Sequence, residues 1–133
     1  MVLVDTDVVS FFYRKDTRAA AYETVLAGRI RCISFMTLAE LYKWPLERRF
    51  GKRRTRELEA YLQTFVVLPF DDALARHWAK LVTDLKRKGI GVSFSDSWIA
   101  ASAIRHNLPL VTHNRKHFEK ITGVTVIPET RHV

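Results

Sequence analysis

Short apolar runs alternate with stretches of helical periodicity along this chain, and that alternation most tightly limits how it can fold. Met1–Val4 runs into Asp5, and Ile30–Phe35 runs into a helical pattern that begins at Thr37. Val66–Phe70 meets Asp71 and Asp72, Leu108–Thr112 leads to Asn114, and Val124–Ile127 ends the series. Continuous apolar runs of this length read as strands buried on both faces, which is the habit of a parallel sheet. Between them, Val8–Tyr13 opens a helix, and Ala-rich Thr17–Ala27 forms another with Gly28 as its C-cap. Leu38, Leu41 and Tyr42 share a helical face until Pro45 interrupts or kinks it, leaving 46–52 as a loop or broken helix. Helical spacing resumes over Thr55–Phe65. It returns after Asp71 or Asp72 with Leu74, Trp78, Leu81, Val82 and Leu85 on one face, and stops at Gly89. Gly91–Phe94 reads as a loop, Asp96–His106 as a buried Ala-rich helix, and Asn114–Ile121 as a short helix or turn. The expectation is an α/β domain with a mainly parallel central sheet of about five strands and helices on both faces. Residues 1–133 would form that one domain, with the last six as a tail.

The bulk composition narrows the function classes. A chain of 133 residues, 47% apolar and 27% charged, suits one folded soluble domain. No apolar run approaches the roughly 20 residues that span a bilayer. The opening turns acidic too early for a secretory signal, so the expected compartment is the cytoplasm, with no membrane partner. Cys32 is the single cysteine; it excludes an internal disulfide and a Cys-based zinc site, and it reads as a small buried hydrophobe. Five scattered glycines form no phosphate-binding loop. His77, His106, His113 and His132 have no metal-ligand spacing. A net charge of +8 favours a polyanionic partner, with nucleic acid first and an acidic protein second.

Polar oxygen donors recur where the strands end. Asp5 closes the first run and Asp7 follows it; Glu40 comes shortly after the second run. Asp96 opens the buried helix, and Asn114 lies just past the fourth run. Open α/β sheets place their sites outside the carboxyl ends of the strands, so these groups could converge on one rim. Clustered carboxylates suit Mg²⁺ or Mn²⁺, hard cations that take oxygen ligands and can activate water against a phosphodiester. Each acid also has a purely structural reading. Thr37-Leu38-Ala39-Glu40 and Ser93-Phe94-Ser95-Asp96 both fit a capping box, and Asp5 could cap a helix starting near Asp7 or Val8. A helix N-terminus can hold a carboxylate that also binds metal, so the two readings are compatible.

Four segments carry a family resemblance. Val2-Leu3-Val4-Asp5-Thr6-Asp7-Val8-Val9 resembles the opening strand of PIN domains. Ser34-Phe35-Met36-Thr37-Leu38-Ala39-Glu40-Leu41 resembles their second acidic motif, and Asp96-Ser97-Trp98-Ile99-Ala100-Ala101 their third. Leu108-Pro109-Leu110-Val111-Thr112-His113-Asn114-Arg115-Lys116-His117-Phe118 resembles their fourth, a strand followed by Thr and an Asn or Asp. Each motif alone is weak; four in order, covering residue 2 to about 127, are strong together. The resemblance implies a ribonuclease in which Asp5, Glu40 and Asp96 are catalytic and hold Mg²⁺ or Mn²⁺. Thr6, Asp7, Thr112 and Asn114 would stand near the metal or its waters. The size looks like VapC toxins, which are usually dimeric and are held inactive by a VapB antitoxin. RNA, a VapB-type antitoxin and a second copy of the chain are therefore the expected partners. At the fourth motif the chain departs from its relatives: Asn114 and His117 stand where many have a carboxylate, which favours one strong metal site over two.

Basic residues supply candidates for the RNA backbone, whose phosphates are held by salt-sensitive contacts without sequence reading. Arg53 and Arg54 lie in a run with Arg48, Arg49, Lys52 and Arg56, which could equally be a solvated helix face. Arg115 and Lys116 adjoin Asn114 and are better placed for a scissile phosphate. Trp78 and Trp98 read as core, and Trp44 as a residue of a dimer or antitoxin groove. Three rival readings remain at this level: a PIN-like RNA-binding module without catalysis, a PIN nuclease outside toxin–antitoxin biology, and a metal-free α/β protein whose acids are only caps.

Overall fold

A computed structural model describes residues 1–129. The end of the expected tail and His132 lie outside these residues. Four parallel strands, β1 (Val2–Val4), β2 (Arg31–Ser34), β3 (Val66–Leu68) and β4 (Leu110–Val111), form a sheet in the order β3-β2-β1-β4. The helices are α1 (Thr6–Tyr13), α2 (Ala20–Leu26), α3 (Phe35–Glu47), α4 (Lys52–Leu62), α5 (Asp72–Arg87), α6 (Phe94–His106) and α7 (Arg115–Glu119). Leu3 pairs with Cys32 on one side and Leu110 on the other, so β1 is central and wholly buried. The chain steps outward from β1 to β2 and β3, then returns to place β4 on the opposite flank of β1. The order therefore switches between β1 and β4, and a crevice at the carboxyl ends of these two strands is where such sheets bind ligands.

Side chains alternate across the sheet as the strand period requires. Val2, Val4, Ile33 and Val111 pack with Val8, Val9, Phe11, Tyr22, Leu41, Leu58 and Leu62 on one face. Leu3, Cys32 and Leu110 pack with Leu74, Leu81, Leu85, Ile99, Ala100 and Ala101 on the other. Each large apolar side chain buried in this way contributes roughly 1.5–3 kcal/mol. Cys32 is fully buried, as a small hydrophobe should be. No helix among the described residues is long and apolar enough to cross a membrane.

Several boundaries differ from the sequence expectation for local reasons. The expected fifth strand, Val124–Ile127, pairs with β4 at a single bridge, Leu110 with Val126. Leu110 donates to Thr125 and accepts from Ile127, which is too little ladder to make a strand. Thr17–Ala27 is broken into a 3-10 turn, Thr17–Ala19, and the short α2. Helix α3 begins at Phe35 and runs through Pro45, which sits in its last turn, where few helical bonds remain to be lost. Trp78 and Trp98 are only partly buried. They stack at 4.6 Å within an aromatic cluster that includes Phe35, Phe70 and Phe94. Phe70 and Phe94 are themselves exposed. An apolar helical face shows that a side chain wants cover, but not that an element exists to supply it.

Candidate active site

Strand ends and helix starts deliver the acids to one cavity. Asp5 follows β1 directly and is the N-cap of α1; its Oδ1 accepts from the Thr6 amide at 2.8 Å. Asp7 lies in the first turn of α1. Ser34, not Thr37, caps α3: its hydroxyl accepts from the Thr37 amide at 3.1 Å. Glu40 is therefore a turn further into α3 than a capping box would put it, which removes its purely structural explanation. Ser93 caps α6 by accepting from the Asp96 amide at 3.2 Å, so the helix opens at Phe94 and carries Asp96 in its first turn. Asp5, Asp7, Glu40 and Asp96 line one cavity of about 250 Å³ together with Thr6, Ser10, Trp44, Ser95 and Asn114.

Hydroxyls and amides knit these carboxylates together. Thr6 Oγ1 is 3.0 Å from both Glu40 Oε1 and Thr37 Oγ1. It has one proton, and donating that proton to the carboxylate leaves a lone pair for Thr37. Thr112 Oγ1 donates to Asp5 Oδ2 at 2.7 Å and accepts from the Asn114 amide at 3.1 Å. Asp7 accepts from the amides of Val8 and His113. His117 Nδ1 is 3.1 Å from Asp96 Oδ2.

The electrostatics are those of an array short of positive charge. Burial, then the Asp7 carboxylate, push Asp5 up to about 8 despite the hydrogen bonds from Thr112 and Thr6. Burial also raises Asp7 and Glu40 above the ordinary carboxylate range. Among the described residues, no three His, Cys, Asp or Glu side chains close around a single point. The donor set nevertheless fits a hard divalent cation: all oxygen, rich in carboxylate, and carrying a desolvation penalty that such an ion would offset.

The positive candidates divide. Arg115 and Lys116 open α7 immediately after cavity-lining Asn114, though Arg115 is paired with Glu119 at 2.7 Å. Arg53 and Arg54 lie on α4, which contributes nothing to the cavity wall; they engage Glu57 and the Phe50 ring. Arg48 stands over cavity-lining Trp44 at 5.0 Å, so a different member of the basic run adjoins the site. Ser10 and Ser95 were not foreseen as lining residues. Ser10 could have been: it lies three and four positions after Asp7 and Thr6, on the same helical face.

A PIN-domain model matches residues 2–124. The chain belongs to the PIN-domain family, among its VapC members. Its relatives include Ribonuclease VapC1 of Haemophilus influenzae, 28% identical over 92% of each chain. The tRNA(fMet)-specific endonuclease VapC of Salmonella typhimurium is 33% identical over 71% of this chain and 72% of its own length. In three dimensions the PIN domain resembles VapBC-1 from nontypeable Haemophilus influenzae at a TM-score of 0.81 and 26% identity, covering 96% of this chain and 97% of that one.

Proposed function

We propose that this PIN domain is a divalent-metal-dependent endoribonuclease and the toxin of a toxin–antitoxin pair. The observation that carries the reading is the cavity at the β1–β4 switch point, which Asp5, Asp7, Glu40 and Asp96 line. Asp5, Glu40 and Asp96 are the residues that would hold Mg²⁺ or Mn²⁺, with the hydroxyl of Thr6 and the amide of Asn114 beside them. Such an ion supplies an activated water and neutralises charge on the phosphoryl group under attack. The chain's own part is to hold the carboxylates in place and to meet the RNA backbone with Arg115, Lys116 and Arg48. Arg53 and Arg54 would serve only the more distant backbone.

Transfer RNA is the first substrate to test, because relatives carry that specificity in their names. A VapB-type antitoxin is the expected partner, since similar structures are of VapBC complexes. The second expected partner is another copy of the chain, for which exposed Phe70 and Phe94 offer aromatic surface. The test is induction in a bacterial host. Wild type should arrest growth, Asp5→Asn should not, and co-expression of the antitoxin from the same operon should restore growth. Equal arrest by wild type and Asp5→Asn would sink the reading.

A further inference from the structure

One short stretch of chain reaches three carboxylates on two elements. Thr112 Oγ1 donates to Asp5 Oδ2, the His113 amide donates to Asp7 Oδ2, and His117 Nδ1 meets Asp96 Oδ2. Asp5 and Asp7 stand at the start of α1, whereas Asp96 stands in the first turn of α6. The stretch has no carboxylate of its own between Thr112 and His117, and the next one along, Glu119, is taken up by Arg115. It therefore offers the cavity hydrogen-bond donors where a further acidic ligand would otherwise sit.

The stretch is itself held. Tyr22 Oη and His113 Nδ1 are 2.7 Å apart. Burial holds the Tyr22 phenol above its ordinary range, so it stays protonated as it meets the imidazole. The Phe11 ring meets the His113 ring edge-on at 5.1 Å. The Asn114 amide donates to Thr112 Oγ1 and closes the turn between β4 and α7. Phe11 belongs to α1 and Tyr22 to α2, and neither of them nor His113 lines the cavity.

We propose that Thr112–His117 is a donor clamp, anchored by Tyr22, that fixes one oxygen each of the ligands Asp5 and Asp96, and of Asp7 beside them, so that the two ligands keep their remaining lone pairs for the ion. Thr112, His117 and Tyr22 are then positioning residues. A carboxylate oxygen has two lone pairs, so a donor on one fixes the rotation of the group and leaves the rest free to coordinate. Donors placed behind metal ligands in this way typically tune affinity by about 10–100-fold. The inference rests on the reading that these carboxylates hold a divalent cation.

The experiment is Mn²⁺ affinity without RNA, read from the electron paramagnetic resonance signal of free Mn²⁺, with the melting temperature of each metal-free variant alongside. Wild type is compared with Thr112→Val, His117→Ala, His117→Asn and Tyr22→Phe. His117→Ala should bind Mn²⁺ about 10–100-fold more weakly. Its metal-free melting temperature should not change, because the His117 side chain is 56% exposed. His117→Asn keeps an N–H donor at the same distance from the backbone and should recover most of the affinity. Thr112→Val should lose affinity as His117→Ala does, and Tyr22→Phe should lose less. Wild-type affinity in both His117→Ala and Thr112→Val would overturn the clamp, and so would failure of His117→Asn to rescue. No Mn²⁺ binding by wild type would instead overturn the underlying metal reading.

Discussion

Asp5 is caught between two demands. Its place at the end of β1 buries it beside Asp7, which pushes it up to about 8, while the proposed chemistry needs it ionised. Metal binding resolves the conflict, since the ion offsets the charge that burial penalises. Replacing Asp5 by Asn keeps the shape, and the amide oxygen can still accept from Thr6. The Thr112 hydroxyl can turn round to accept from the amide nitrogen. In metal-free protein at pH 8, Asp5→Asn should therefore raise the melting temperature by about 3–6 °C, on the scale set for a chain of this size. The same variant should abolish the further rise that Mn²⁺ gives wild type. A thermal melt with and without Mn²⁺ checks both; a destabilised variant would show that Asp5 is held by its hydrogen bonds rather than strained by its charge.

Ser34 shows how an element sets the site. It ends β2 and caps α3, it is fully buried, and the helix it starts carries Thr37 and Glu40 toward Thr6. Ser34→Ala should cost about 1 kcal/mol, within the 0.5–2 kcal/mol range for a lost cap, measured by urea denaturation. No loss at all would mean that the helix start is fixed by packing alone. The same cap marks where the sequence was legible and where it was not. The acids could be read because Asp5 and Glu40 follow apolar runs whose ends the parallel sheet brings to one edge, and Asp96 opens an apolar helix that packs beside them. The sequence puts the start of α3 at Thr37 and the structure puts it at Phe35, because Thr37-Leu38-Ala39-Glu40 and the true cap at Ser34 are both locally acceptable and only the end of β2 decides between them. His117, at a position where many relatives carry an acid, reads as a substrate neighbour or surface residue; its contact with Asp96 joins elements 21 residues apart, which no local pattern encodes. The partial exposure of Trp78 and Trp98 escaped for the same reason.

At the scale of the whole molecule, pH and metal should act in opposite directions. Asp5 is raised in the folded protein, so between pH about 4 and 8 the folded state holds a proton that the unfolded state has released. Stability then falls as pH rises through that window, and the raised Asp7 and Glu40 add to the fall. Metal binds the deprotonated acids, so its stabilising effect should grow over the same range. Thermal melts from pH 5 to 8 should show metal-free protein weakening and the gain from Mn²⁺ increasing; a flat metal-free profile would contradict the burial argument. The aromatic face carries its own prediction: Phe94→Glu should shift a dimer toward monomer in size-exclusion chromatography, with an unchanged profile counting against that face. The most direct test of the central claim is cleavage of single-stranded RNA by purified protein, with Mn²⁺ and with EDTA, wild type beside Asp96→Asn. The account predicts cleavage only by wild type with metal present. Cleavage in EDTA, or by Asp96→Asn at the wild-type rate, would contradict it.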